Sequence, residues 1–197
     1  MSENSVRVAV IVGSVREGRF APVVLNWFVD RAAEHGGFDV DVVDLADADL
    51  PMVLPAFGSE PSPETAAAVG AVTPRLAAAD AFVVITPEYN HSYPASLKNL
   101  IDWHDEEFHA KPVAFVSYGG LSGGLRAVEH LRPVFAELQA VTIRNTISFH
   151  NAGAQFGQDG RPKDSEPADA AAKVQLDQLD WWARSLKEAR DKRPYKV

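Results

Sequence analysis

The sequence predicts a three-layer α/β sandwich: a five-stranded parallel sheet, strand order 2-1-3-4-5, with helices on both faces. Three observations carry this. Segments 6–12, 81–86 and 112–118 are short and almost wholly apolar, as strands buried on both faces are. Between them lie stretches with apolar residues at helical spacing, so strand and helix alternate and the strands must be joined by crossovers. The chain has 197 residues, without an internal repeat or a long linker, so 1–197 is expected to form a single domain. Periodicity does not give the spatial order. It is that of the common doubly wound sheet, whose ligands bind at the carboxyl ends of the strands near the switch point.

The elements follow in turn. VRVAVIV at 6–12 is a β-branched run closed by Gly13. A helix is expected over 20–35, with Val23, Val24, Trp27 and Phe28 at helical spacing and Gly36-Gly37 as its stop. Segment 38–45 alternates as a strand, and 50–63, with four prolines, reads as loop. Ser62 and Glu64 can cap a helix running to Ala79, which Pro74 is expected to kink or break. After the strand at 81–86, a helix over 94–103 carries Pro94 in its first turn. The strand at 112–118 precedes a helix over 125–139 and a strand over 141–149. Segment 151–167 is polar and reads as loop. A last amphipathic helix over 168–190 places Leu176, Leu179, Trp182 and Leu186 on one face. Trp181 and Trp182, being adjacent, cannot share a helix face, so only one is expected in the core.

Composition excludes several classes. Hydrophobic residues make up 46% and charged residues 23%, as in folded globular proteins. A net charge of −8 argues against nucleic-acid binding, which needs a basic footprint. With no cysteine there are no disulfides, iron–sulfur clusters or thiolate zinc sites, so any redox role needs a bound organic cofactor or a non-thiolate metal. No segment has the apolar length of a membrane span, and residues 1–5 lack the features of a signal peptide; a cytoplasmic location is expected. The 104–109 run, HDEEFH, lacks the spacing of a helical zinc motif and is expected to be a solvated or subunit-contact segment, so no metal is assigned.

Three loops at the expected ligand edge carry chemistry. Gly13-Ser14-Val15-Arg16-Glu17-Gly18-Arg19 leads into a helix. Glycines let the backbone approach an anion, the helix start offers unpaired N–H groups, and Ser14, Arg16 and Arg19 can add donors. It is not a dinucleotide fingerprint, because residue 15 is Val. It is not an NTPase loop either, because Arg19 and Phe20 stand where lysine and a magnesium-binding hydroxyl belong. The second loop, 87–94, joins a flat aromatic surface to polar groups and two prolines. The third, 117–124, has four glycines that expose backbone N–H groups. Each loop alone also fits an ordinary β–α connection. Together they offer a phosphate cradle, an aromatic shelf and a backbone N–H rim, which suits a phosphorylated planar cofactor such as FMN.

At these residues the sequence resembles the NADPH-dependent FMN reductase family, which includes flavodoxin-like quinone, chromate and azo-dye reductases. The matching pieces are GSVREGR (13–19), PEYNHSYPASLKNLIDW (87–103) and SYGGLSGG (117–124), within a resemblance running over about 6–149. The resemblance implies that Ser14, Arg16 and Arg19 bind the FMN phosphate. It implies that Pro87, Glu88, Tyr89 and Asn90 line the ribityl chain and ring, mainly through backbone groups. Ser117, Tyr118, Gly119 and Gly120 are implied around the pyrimidine end, where the Gly119 and Gly120 amides would stabilise negative charge on the reduced ring. It further implies a two-step reaction in which NADPH or NADH reduces FMN and a small flavin, quinone or similar acceptor reoxidises it. No catalytic side chain is nominated. A homodimer or homotetramer with an interface near the flavin is implied. The alternatives are a non-enzymatic electron carrier and a flavin-dependent redox sensor. His150 and Asn151 lie past the matching motifs and read as a polar strand end.

Overall fold

A computed structural model describes residues 5–196; the polar start at 1–4 and its expected lack of a signal lie outside the described residues, as does residue 197. Five strands form one parallel sheet: β1 (Val6–Val12), β2 (Phe38–Asp44), β3 (Ala81–Pro87), β4 (Pro112–Tyr118) and β5 (Val141–Phe149), in the order β2-β1-β3-β4-β5. Six helices connect and follow them: α1 (Ala21–His35), α2 (Pro63–Ala78), α3 (Ala95–Trp103), α4 (Leu125–Glu137), α5 (Ala152–Gln155) and α6 (Ser165–Lys192).

Alternation along the strands builds two cores. Val8, Val10, Val12, Val83, Ile85 and Val116 face α1 and α6, against Val24, Trp27, Phe28, Leu176 and Leu179. Ala9, Ile11, Phe82, Val84 and Phe115 face the other way, against Leu76, Leu97, Leu100, Leu131 and Phe135. β3 and β4 are buried at every position, which is why they read as continuous apolar runs. Each fully buried large side chain contributes about 1.5–3 kcal/mol.

The structure departs from the expected elements in five places. Pro74 does not break α2: Val72 and Leu76 on either side of it are buried against the sheet, and the Thr73 hydroxyl donates to the Val69 carbonyl in the turn that proline loosens. Pro94 precedes α3 as its cap residue, in an extended conformation, rather than lying in its first turn. Within 151–167, α5 forms one short turn, and α6 starts earlier than expected, at Ser165. His104 is not solvated. It is 4% exposed, with Nδ1 2.8 Å from the Leu100 carbonyl and Nε2 3.0 Å from the Thr73 hydroxyl, tying the end of α3 to α2. The expected division of the tryptophans holds: Trp181 is exposed while Trp182 packs against the core.

Two polar devices finish the sheet. The β4–β5 register shifts between Val113 and Phe115, and the buried Gln175 of α6 fills the irregularity by donating to the Phe115 and Asn145 carbonyls. At the opposite end from the three loops, Lys111 is 7% exposed and donates to the Leu76 and Ala77 carbonyls at the end of α2.

Burial, reinforced by Arg190 and opposed by Asp80 and Glu107, pulls the Lys111 ammonium down to about 8 from 10.5. The unfolded chain therefore holds a proton that the folded chain releases between these values. Stability is expected to rise with pH across that window, by up to about 3 kcal/mol. Urea titrations at pH 7.5 and 10 should show the rise in the wild type and its loss in Lys111→Met; parallel curves for both proteins would contradict it.

Candidate functional site

β1, β3 and β4 are adjacent and parallel, so the loops that follow them emerge together. Backbone and side-chain bonds then weld them. The Gly13 amide donates to the Ile85 carbonyl at 2.9 Å, and Ser96 at the start of α3 donates to the Gly13 carbonyl at 2.6 Å. Ser14 is fully buried, and its hydroxyl shares a 2.7 Å hydrogen bond with that of Tyr89. The first two expected binding loops are thus in direct contact.

Within the first loop the two arginines part company. Arg16 is exposed: its carbonyl accepts from the Arg19 amide at 3.1 Å, while its guanidinium has no hydrogen bond or ion pair with any described residue. Arg19 grips Asp44 at the end of β2 with both terminal nitrogens, at 2.5 and 2.6 Å, and donates to the Ser14 carbonyl at 2.6 Å. The bond to Asp44 raises the Arg19 pKa above its ordinary value despite partial burial. Phe20, where an NTPase loop would carry a hydroxyl, packs its ring near Tyr118 and edge-on to Phe156.

The second loop is a tight hairpin. Tyr89 and Ser92 exchange backbone bonds of 2.8 and 3.1 Å around Asn90 and His91, which both have positive φ, 50° and 73°. Two non-glycine residues in the left-handed region store strain, which the flanking bonds hold in place. The Glu88 side chain, only 9% exposed, turns away toward the third loop. It accepts from the Ser122 hydroxyl at 2.6 Å, from the Arg126 amide at 3.2 Å and from the Arg126 guanidinium at 3.1 Å. Desolvation works against its ionisation, but those donors together hold its carboxyl below the ordinary value.

The third loop is closed by its own glycines. Gly123 and Gly124 both have positive φ, 61° and 85°, and an added Cβ on either would meet neighbours under 3.0 Å away. The buried Ser117 hydroxyl donates to the Gly123 carbonyl at 2.8 Å, as does Ser148. Of the two amides expected to face the ring, that of Gly119 already donates to the Phe149 carbonyl at 3.1 Å, while that of Gly120 is open on an exposed residue. His150 and Asn151 bind this loop: His150 Nδ1 lies 2.9 Å from the Leu121 carbonyl, and the Asn151 amide donates to the Gly120 carbonyl at 2.8 Å. Tyr118 points under the first loop, not toward the third; its surroundings are Ser14, Tyr89, Arg19 and Asp44.

Sequence reasoning passed over Asp44, Ser122 and Arg126. An acidic residue ending an edge strand was the available signal for Asp44. Nothing local marks the other two, because their partner Glu88 lies on a different loop. A groove of about 970 Å³ between α4, β5 and α6 lies at the sheet edge. There Arg132 covers the Ile143 and Arg144 carbonyls of the edge strand, a structural closure. Among the described residues no cluster of three or more His, Asp or Glu is placed to hold a metal ion, and no helix is long and apolar enough to cross a membrane.

A doubly wound sheet in this strand order, with its loops converging at the switch point between β1 and β3, defines a flavodoxin-like α/β protein. The profile of NADPH-dependent FMN reductases matches residues 6–154. The chain is 40% identical over 123 residues to an NAD(P)H-dependent FMN reductase of Schizosaccharomyces pombe, a match spanning 60% of each chain. It is 33% identical over 151 residues to the quinone reductase of Escherichia coli K12, covering 73% of this chain and 76% of that one. The flavoenzyme NAD(P)H:(acceptor) oxidoreductase FerB of Paracoccus denitrificans has the same fold, with a TM-score of 0.71 at 24% identity over 91% of this chain and 97% of that one. The chain belongs to the NADPH-dependent FMN reductase family, whose members are oxidoreductase enzymes.

Proposed function

We propose that the protein is an NAD(P)H-dependent, FMN-containing oxidoreductase that passes electrons to free flavin, quinones or similar small acceptors, with 1–197 acting as one flavin-binding domain in the cytoplasm. The observation that carries this reading is the convergence of the three loops on one mouth that leaves the right groups unused: the Arg16 guanidinium and the Gly120 amide. The donor set fits a flavin mononucleotide, an anion at one end and a planar hydrogen-bonding ring at the other.

When bound, FMN would supply two-electron redox chemistry between a reduced nicotinamide and a small acceptor, held by the 13–19, 87–90 and 117–120 loops. The chain's own residues bind and orient. Ser14 and Arg16 hold the phosphate, and Arg19, anchored to Asp44, braces the loop around it. Pro87, Glu88, Tyr89 and Asn90 supply the rigid shelf beside the ribityl chain and ring. Ser117 fixes the glycine loop by bonding Gly123; Gly119 and Gly120 would border the pyrimidine end, where the open Gly120 amide would stabilise negative charge.

Anaerobic mixing of the FMN-loaded protein with NADPH or NADH should bleach the flavin band within seconds, and a panel of acceptors should restore it. Loaded protein that stays yellow with both nicotinamides would leave an electron carrier instead. Val15, Met52, Val53, Phe57 and Leu121 are exposed apolar side chains on loops that follow β1, β2 and β4. They support a homodimer or homotetramer with its interface near the mouth. Light scattering should give two or four times the chain mass; a monomer at micromolar concentration would rule that out.

A further inference from the structure

Beneath the first loop three hydroxyls meet, and one of them has nothing to do. Ser14 and Tyr89 satisfy each other at 2.7 Å. Tyr118 comes from the end of β4, is 5% exposed, and its hydroxyl has no hydrogen-bond partner. An unpartnered buried hydroxyl is costly, and native proteins rarely keep one without a use. Neighbouring groups do not supply that use. Arg19 is committed to Asp44 and to the Ser14 carbonyl. Phe20, with its ring centroid 6.1 Å away, packs beside the phenol and offers no acceptor. Burial first, and then Tyr89, push the phenol well above its ordinary range against the weaker pull of the nearby Ser14 hydroxyl, which is already paired with Tyr89, so the Tyr118 hydroxyl stays protonated and available as a donor. Its surroundings are Ser14 and Arg19 of the loop that carries the free Arg16 guanidinium. The one carboxylate near the phenol, Asp44, is taken up by Arg19, so what this corner lacks is a free anionic acceptor.

We propose that Tyr118 is a specificity-determining residue for the phosphate end of the flavin, its hydroxyl donating to the phosphate monoester, so that the site distinguishes FMN from riboflavin. This role rests on the FMN-binding function proposed above. A tyrosine kept only for packing in the Phe20–Phe156 cluster would behave differently, because phenylalanine would serve equally well there.

The test is flavin binding to the full-length, flavin-free protein, followed by fluorescence quenching, for wild type and Tyr118→Phe with FMN and with riboflavin. The thermal midpoint of each flavin-free protein is measured alongside. The expected result is that the substitution weakens FMN binding about tenfold, leaves riboflavin binding unchanged, and leaves the flavin-free midpoint the same or higher, since an unsatisfied group has been removed. Equal weakening of both flavins, unchanged FMN affinity, or a lower midpoint without flavin would each overturn the role of Tyr118 while leaving FMN binding by the wild type intact. A wild-type chain that binds neither flavin would overturn the proposed function, and this role with it.

Discussion

Gly124→Ala is expected to destabilise the protein by about 3 kcal/mol and to abolish flavin binding. Gly124 sits at φ 85°, where an L residue is strained by roughly 1–2 kcal/mol. Its new Cβ would lie 2.7 Å from the Ser117 Cβ and 3.0 and 3.1 Å from the backbone nitrogen and oxygen of Tyr118. Those are not flexible side-chain ends. They belong to the last residues of the fully buried β4, so the loop must move instead, and overpacking adds a further 1–3 kcal/mol or so. Against a total stability on the order of 5–15 kcal/mol the variant should still fold, but with the third loop displaced. Gly120→Ala is the control, because an added Cβ there meets nothing within 4 Å and the backbone amide survives. Urea denaturation and FMN titration of both variants check this. Equal behaviour of the two would mean that the glycine loop is not held as described.

Glu88→Ala is expected to cost about 1–2 kcal/mol and to weaken FMN binding by loosening the join between the aromatic and glycine loops. The carboxylate satisfies the Ser122 hydroxyl, the guanidinium of Arg126 and an amide in the first turn of α4, so its loss removes three bonds at once and leaves the part-buried Ser122 hydroxyl without its acceptor, while the Arg126 donors turn to water. The pH dependence has a definite sign. The folded-state pKa lies below the ordinary 4.5, so the stabilisation is fully present above that value and is lost as pH falls through the folded value. Acid titration of stability should therefore show a shallower loss in Glu88→Gln than in the wild type, since the amide cannot titrate. Superimposable acid curves would remove the carboxylate from the account.

Legibility in the sequence followed the range of the interactions involved. β1, β4 and β5 are predicted to the residue; for β1 and β4 the reason is that apolar runs and their Gly and Pro boundaries are local signals. Of the kink or break expected at Pro74, the break does not occur, because helix-breaking is a local penalty, whereas the burial of Val72 and Leu76 that overrides it is tertiary. His104 misled because its acidic neighbours look solvated, while its ring turns inward to a threonine 31 residues earlier.

By itself, the sequence determined the layered α/β architecture and the three loops that carry the chemistry, 13–19, 87–94 and 117–124. Strand and helix periodicity and glycine content are written within a few residues of each other. Only the tertiary structure decided which side chains in those loops are free to meet a ligand. The partners that occupy the others are distant in sequence: Arg19 and Asp44 are 25 residues apart, Glu88 and Arg126 38, and Ser14 and Tyr89 75. A guanidinium or hydroxyl looks equally available along the chain until the fold supplies, or withholds, its acceptor. That is why Arg16 and Arg19 read alike in the sequence and differ in the folded protein.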